Sequence, residues 1–424
     1  MDTKISLVEA GAVRKSGSLF VEAFGHTSAL IIADGNTIRA AGFETIRSLE
    51  KAGIEVRQLI FDALPRPYAD EQAIAKVRMN LELDSSIAVV LGSGTLNDVT
   101  KRASFELDRP YMVVATAPSM DGYTSFGAAI NFEGFKQTMP CSAPVVVVGD
   151  TEVLSEAPME MIGSGFADCM AKFTAGMDWI LADLVGLHPI RSDVWDMVQR
   201  PLWRVYEKAD LVATRSKKAI AELFEALAAS GFAMQITEDS RPASGAEHLV
   251  SHVWEMEHLA KGGEEASHGF KVAVGTLIVT HLYKELLELE QADCYGHPVQ
   301  SWEEREADIR SHFIDPRIIE RTLAIAREKF MDETQLAERR KLLVTILPTL
   351  QKRIEQQLPP IGQLRAALAM VGAPTQPAHI GLDIQRLKRS VRAAQMIRNR
   401  YTILDLYYEL GLLDRALSSL EGLY

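Results

Sequence analysis

Four of the ten histidines stand at positions 248, 252, 258 and 268. His248 and His252, in "SGAEHLVSH", are at i and i+4, so on a helix they share one face. His268 comes just before Gly269 and the apolar run "FKVAVGTLIVT". Upstream, Asp168 in "GSGFADCMAK" is flanked by small and apolar residues on what reads as a buried helix. A buried carboxylate is rare without a partner or a cation. One carboxylate and two imidazoles bind a divalent cation such as zinc and leave a coordination position open for substrate. The competing reading of His248 and His252 is a polar pair on a helix surface. His258 borders the "AKGGEE" segment and reads as solvated.

A second set of residues suits a phosphorylated ligand. "VVLGSGTLNDVTKRAS" reads as a strand that ends in Gly92-Ser93-Gly94-Thr95 and runs into a helix. A Gly-rich turn lets the backbone approach an anion, and a helix N-terminus offers unpaired N–H groups and the positive end of its dipole. The turn is neither G-x-G-x-x-G nor a P-loop, so alone it reads equally as an ordinary strand-helix connection. Asp34, at the end of "SALIIAD", can accept the ribose hydroxyls of an adenosine, or cap the next helical turn. "TAPSMDGYTS" places Thr116, Ser119, Asp121, Thr124 and Ser125 directly after another strand. Three such loops at successive strand ends point to a dinucleotide.

The elements that must position these residues are legible as two patterns. "SALIIAD" (28–34), "VRQLIF" (56–61), "SIAVVLG" (86–92), "YMVVATA" (111–117) and "CSAPVVVVGD" (141–150) read as buried parallel strands, being near-continuous apolar runs. A Gly- and Asn-containing segment before the last of them suggests a hairpin. The intervening segments have helical spacing, which gives a doubly wound α/β domain over 1–150. From 151 to 424 the patterns are helical, broken by stops such as "GLHPI" and "LPPIGQ". The expected architecture is a Rossmann-like α/β domain followed by an all-α domain, with the ligand site in a cleft between them.

Composition narrows the function class. A chain of 424 residues with 47% hydrophobic and 24% charged residues suits a globular enzyme, and a net charge of −12 argues against a nucleic-acid or anionic-membrane partner. Cys141, Cys169 and Cys294 are widely spaced, with no CxxC, so neither a disulfide framework nor a zinc-thiolate site is indicated. The N-terminal segment has no apolar signal-peptide core, and no later stretch reaches about 18 uncharged apolar residues. The expectation is a soluble cytoplasmic protein.

The segments "GSGTLNDVTKRAS", "TAPSMDGYTS", "GFADCMAK", "SGAEHLVSH", "SHGFKVAVGT" and "RNRYTILDLYYELGLL", in that order, resemble those of the sn-glycerol-1-phosphate dehydrogenases, particularly the bacterial branch. That family sits in a superfamily with glycerol dehydrogenase, iron-containing alcohol dehydrogenases and 3-dehydroquinate synthase. The resemblance implies that Gly94, Thr95, Leu96, Asn97, Asp98, Thr116, Ala117, Pro118, Ser119 and Ser125 contact a nicotinamide dinucleotide, NAD or NADP. It implies that Asp168, His248 and His268 hold one divalent cation, zinc, nickel or iron. Asp121, Asp168 and His252 would bind substrate and act in catalysis.

Where the family's first glycine turn reads Gly-Gly-Gly, this chain has Ser93 in the middle, a residue tolerated unless φ is strongly positive. Iron-type alcohol dehydrogenases carry a further histidine four residues after the aspartate; here that residue is Lys172. Dehydroquinate synthases use glutamate where this chain has Asp168. The implied reaction is reversible hydride transfer between NAD(P)H and C2 of dihydroxyacetone phosphate, giving sn-glycerol 1-phosphate. The alternatives are a metal-dependent glycerol or polyol dehydrogenase and, behind it, a dehydroquinate synthase-like enzyme. The implied partner is a phosphorylated triose, with Lys136 a candidate for its phosphate, and the helical half could support a homodimer.

Overall fold

The computed structural model of the protein describes residues 1–424 apart from 65, 66, 133, 134, 258, 262 and 263, and omits the side chains of 135–137, 260, 261 and 264. Six strands make one parallel sheet: β1 (Ile5–Glu9), β2 (Ala29–Asp34), β3 (Val56–Phe61), β4 (Ile87–Gly92), β5 (Tyr111–Ala115) and, beyond the hairpin β6 (Ala128–Phe132) and β7 (Phe135–Met139), β8 (Val146–Asp150). Their order is β1-β8-β5-β4-β2-β3. Every residue of β4, β5 and β8 is buried, which is why these strands read as unbroken apolar runs.

The two edges differ from the centre. β3 lies at one edge, and its alternation of buried Leu59 and Phe61 with exposed Gln58 and Ile60 marks a strand covered on one face rather than the fully buried strand expected. β1, at the other edge, pairs with β8 from Ile5↔Val146 to Glu9↔Asp150. Nothing in the apolar patterning singled out "ISLVE", of which only Ser6 is exposed.

The helices of the α/β part are α1 (Ser16–Phe24), α2 (Phe43–Lys51), α3 (Glu71–Leu81) and α4 (Gly94–Glu106). Phe20, Leu49, Ile31, Val89, Val114 and Val148 form part of one core between α1, α2 and the sheet. Then follow α5 (Thr151–Ser155), α6 (Met159–Leu184), α7 (Ser192–Tyr206), α8 (Ala209–Ala213), α9 (Lys217–Thr237), α10 (Ala246–Met256), α11 (His268–Glu285), α12 (Trp302–His312), α13 (Pro316–Lys329), α14 (Glu333–Gln357), α15 (Ile361–Met370), α16 (Ile384–Ala394) and α17 (Ile403–Leu410).

Contacts group the chain into two compact units. One comprises 1–169, 196–243 and 370–373, and holds the sheet. The other comprises 170–195, 244–369 and 374–424 and, among the described residues, is helical except for the two-residue antiparallel pair Ala260–Lys261 with Glu264–Glu265. Among the described residues α9 alone is long and apolar enough to cross a membrane, and most of it is buried in the protein.

Within the first unit, β2, β4 and β5 are direct neighbours, so the three loops singled out by sequence leave one edge of the sheet side by side. That is the edge at which open α/β sheets bind ligands.

Candidate metal centre and dinucleotide loops

At the end of β4, Gly92 gives way to Ser93 and then to α4, which begins at Gly94. Ser93 has φ −110° and ψ −157°, an extended conformation that serine adopts without strain, so a glycine is not needed there. Gly94 is needed for space: a Cβ would stand 2.8 Å from Cε of Met120. Ser93 does not cap the N-terminus of α4 with its side chain and the first turn holds no acid, which leaves the amide donors and the dipole to an anion. Asp34 is engaged in its own turn, accepting the amides of Asn36 at 2.7 Å and Thr37 at 2.9 Å.

Residues 116–125 are fastened from several sides. Thr124 Oγ1 donates to the carbonyl of Ala228 (2.7 Å), Ser164 Oγ to that of Ser119 (3.2 Å), and Tyr123 Oη to that of Ala117 (2.6 Å). Two glycines permit the close approach: a Cβ at Gly165 would fall 1.7 Å from the carbonyl oxygen of Pro118, and one at Gly231 would fall 2.0 Å from Oγ1 of Thr124. The side chains of Leu96 and Asn97 are buried, and Asn97 accepts from Tyr111 Oη at 3.1 Å.

The residue that sequence reasoning missed beside this loop is Lys101, on α4. Its side chain is wholly buried, and Nζ donates to the carbonyls of Gly122 (2.9 Å), Ser125 (2.9 Å) and Gly127 (3.0 Å). Burial pushes its pKa below the usual lysine value, against the pull of Asp98. An amphipathic helix reads such a lysine as solvated, three residues from an aspartate. Here it is the internal strut of the loop.

Asp168 lies on α6 and is fully buried; its Oδ2 accepts the backbone amide of Asp121 at 2.9 Å. One candidate ligand atom from each of Asp168, His248 and His268 lies within 4.8 Å of the others, which is a spacing that could hold a metal ion. His248 is set by the start of α10. Gly245 precedes it, where a Cβ would fall 2.5 Å from Asp178 Oδ2, and Ala246 N donates to that same oxygen at 2.6 Å. His268 opens α11, whose N-cap Ser267 accepts the amide of Phe270 at 3.3 Å.

Both imidazoles are oriented by glutamates. His248 Nδ1 stands 2.7 Å from Glu247 Oε1, and His268 Nδ1 stands 2.7 Å from Glu255 Oε1. A carboxylate on Nδ1 fixes the proton there and leaves Nε2 as the donor to a cation. Burial works to raise the pKa of Glu247, but its bonds from His248, Gly245 and Thr174 outweigh this and hold it below the usual value. Asp178 is pushed up to about 7 by burial and by the charge of Glu247. Neither glutamate was singled out from sequence, because charged residues on helices ordinarily read as solvent-facing.

His252 has its ring centroid 6.3 Å from that of His248 and 6.4 Å from that of His268, so the three rings form one cluster. Its Nδ1 is enclosed and, among the described residues, has no hydrogen-bond partner. Loss of water around the ring holds it well below the usual histidine range, so the ring is neutral at physiological pH. His258 and the side chain of Lys136 lie outside the described residues.

The glutamates make a measurable prediction. Glu255→Gln keeps an acceptor for His268 but removes the charge, and the apparent Kd for zinc is expected to rise about 10- to 100-fold, read by titration against a metal buffer. An unchanged Kd would show that Glu255 does not tune this imidazole.

The model of the family described as iron-containing alcohol dehydrogenase matches residues 7–158. A solved structure, that of a probable glycerol dehydrogenase from Sinorhizobium meliloti, shares the fold with a TM-score of 0.63 at 17% identity, covering 98% of each chain. Closer in sequence are curated proteins named glycerol-1-phosphate dehydrogenase [NAD(P)+]. The one from Geobacillus thermodenitrificans is 32% identical over 91% of this chain and 87% of its own. That from Geobacillus stearothermophilus is 31% identical over 90% and 86%. The chain belongs to the glycerol-1-phosphate dehydrogenase family.

Proposed function

We propose that the protein reduces dihydroxyacetone phosphate to sn-glycerol 1-phosphate, reversibly, using NADH or NADPH and one divalent cation held by Asp168, His248 and His268. The observation that carries this reading is the gathering of one carboxylate and two glutamate-oriented imidazoles within 4.8 Å, in a chain whose relatives bear that name. The donor set suits zinc, nickel or ferrous iron. Residues 1–150, through Asp34, Gly94 to Asp98, Thr116 to Ser119 and Ser125, bind the dinucleotide in this reading, and 151–424 supply the cation site.

When bound, the dinucleotide supplies the hydride and the cation polarises the substrate carbonyl as a Lewis acid. The chain's own groups do the rest. Asp168 brings a negative charge to the site and, through the amide of Asp121, fixes the loop that carries a second acid. Glu247 and Glu255 keep the protons of His248 and His268 on Nδ1. His252, neutral, exchanges hydrogen bonds with a substrate hydroxyl, and Asp121 and His252 with solvent move its proton. The reading extends to a cytoplasmic homodimer, checked by light scattering and cell fractionation.

The test is an assay with NADH and dihydroxyacetone phosphate that resolves the enantiomer formed. The sn-glycerol 1-phosphate enantiomer is expected. A strong preference for unphosphorylated dihydroxyacetone would sink the reading in favour of a polyol dehydrogenase.

A further inference from the structure

The helical unit holds a cavity of about 280 Å³ that the proposed reaction does not use. Its walls come from α12, α13, α14, α17 and the segment leading into α17. None of the residues read as binding the cation, the dinucleotide or the substrate lines it. The volume is close to the roughly 300 Å³ at which ligand sites begin. Glu328 and Asn399, both exposed and joined by a bond of 2.8 Å from Asn399 Nδ2, stand on its open side, and Phe330, Met331 and Leu336 give it an apolar wall.

The charges drawn into this wall do not balance. Arg305, Lys329 and Arg339 stand against Asp405 and Glu409, while Glu328 is solvated at the opening. Two of the cations have acids of their own. Lys329 Nζ pairs with Asp405 and also donates to the carbonyls of Gln395 at 3.0 Å and Arg398 at 3.2 Å. Arg339 Nη1 donates to Glu409 at 3.3 Å, and the other oxygen of that carboxylate accepts from Tyr401 Oη at 2.6 Å. Arg305 is the odd one. It is 3% exposed, its Nη2 donates to Gln395 Oε1, and its guanidinium carbon lies 4.5 Å from the centre of the Tyr408 ring. Among the described residues its Nη1 has no partner and no carboxylate pairs with it. Burial also pushes the Glu409 carboxyl up to about 7, so near neutral pH the positive surplus is larger still. A buried cation without a counter-charge is unfavourable, and one bound anion relieves it.

The side chain placed to take that anion is Arg339. Its guanidinium is steadied by Tyr401, whose ring centre is 5.1 Å from the guanidinium carbon, and by Glu409 through Nη1. Among the described residues no hydrogen bond leaves Nε or Nη2, the edge on which a guanidinium grips a carboxylate with two parallel bonds. We propose that the cavity binds a small organic monocarboxylate, its carboxylate on the Nε–Nη2 edge of Arg339 in the field of Arg305 and its apolar body against Phe330 and Leu336. An uncharged molecule of the same shape leaves the surplus charge unmet, and inorganic phosphate has no body for the apolar wall.

The probe is benzoate, titrated calorimetrically into the full chain, both zinc-loaded and stripped of metal, with benzamide as its uncharged counterpart. Benzoate is expected to occupy one site with a Kd below about 1 mM in both forms, and benzamide to bind at least about tenfold more weakly. Arg339→Gln, at a residue of intermediate burial, is expected to weaken benzoate at least about tenfold and to leave benzamide unchanged. Arg339→Lys, which keeps the charge without the fork, recovers part of the loss. Crystals of the wild type soaked in benzoate are expected to hold it against Arg339. Binding that disappears with the metal would put benzoate at the cation site and overturn the proposal. So would benzamide binding as tightly as benzoate, wild-type affinity in Arg339→Gln, or no heat of binding up to about 10 mM benzoate. None of these outcomes bears on the reduction of dihydroxyacetone phosphate, so the cavity and the proposed function fail separately.

Discussion

Asp168→Asn is expected to yield a folded protein that retains no divalent cation after dialysis and reduces its substrate about 1,000-fold more slowly or worse. Asparagine preserves the acceptor that Asp168 Oδ2 offers to the amide of Asp121, so the loop at 116–125 stays fastened. The negative charge goes, and with it the anionic member of a donor set whose other members are neutral imidazoles. A site with two imidazoles alone binds zinc far more weakly than one with a carboxylate as well. Elemental analysis, NADH oxidation and the melting temperature, read together, separate the outcomes. Wild-type metal content in a folded Asp168→Asn protein would mean that Asp168 is not a ligand, and the assignment of His248 and His268 would fall with it.

The second large effect is expected from Lys101→Met. Three carbonyls, those of Gly122, Ser125 and Gly127, now share one buried ammonium, and methionine fills the volume without replacing any of these bonds. The Gly122 carbonyl keeps Ser125 Oγ as a donor at 3.0 Å, while each buried carbonyl left unpaired costs about 1–3 kcal/mol, offset in part because a buried charge is also removed. The net expectation is a loss of about 2–4 kcal/mol in stability. KM for the dinucleotide is expected to rise by about tenfold or more, since residues 116–125 lose their internal strut. Arginine is not a conservative replacement, because a planar fork cannot serve three carbonyls arranged around a point charge. Denaturant unfolding and steady-state kinetics check both. A variant with wild-type stability and KM would show that the loop holds its shape through Thr124, Ser164 and Tyr123 alone.

How much of this was legible follows from what burial does to a pattern. β2, β4, β5 and β8 are covered on both faces by their neighbours and helices, so their residues are apolar without interruption and announce themselves. β1 escapes because an edge strand needs only one apolar face, and five residues with a serine and a glutamate leave too little contrast. The loops after β2, β4 and β5 stand out in the sequence by their hydroxyls and glycines at strand ends. Their placement side by side is a property of the sheet order, which no local pattern states.

The chemistry was less evenly readable. Asp168 stood out because an acid among alanine, phenylalanine and cysteine contradicts its surroundings. Glu247, Glu255 and Lys101 did not, for each lies in a helix with polar neighbours and is buried only by the packing of other elements.

Asp178 has a further consequence for the order of events in folding. Its carboxylate receives the amide of Ala246, 68 positions on, the hydroxyl of Tyr283, 105 on, and the amide of Ile403, 225 on. These partners emerge from the ribosome one after another, and the last emerges long after α6 is made. Loop closure over such separations is slow, so the start of α10, and with it the setting of His248, reaches its final arrangement only near the completion of the chain. A nascent or prematurely stopped chain therefore lacks the finished start of α10, and on the proposed function it would not yet hold the cation.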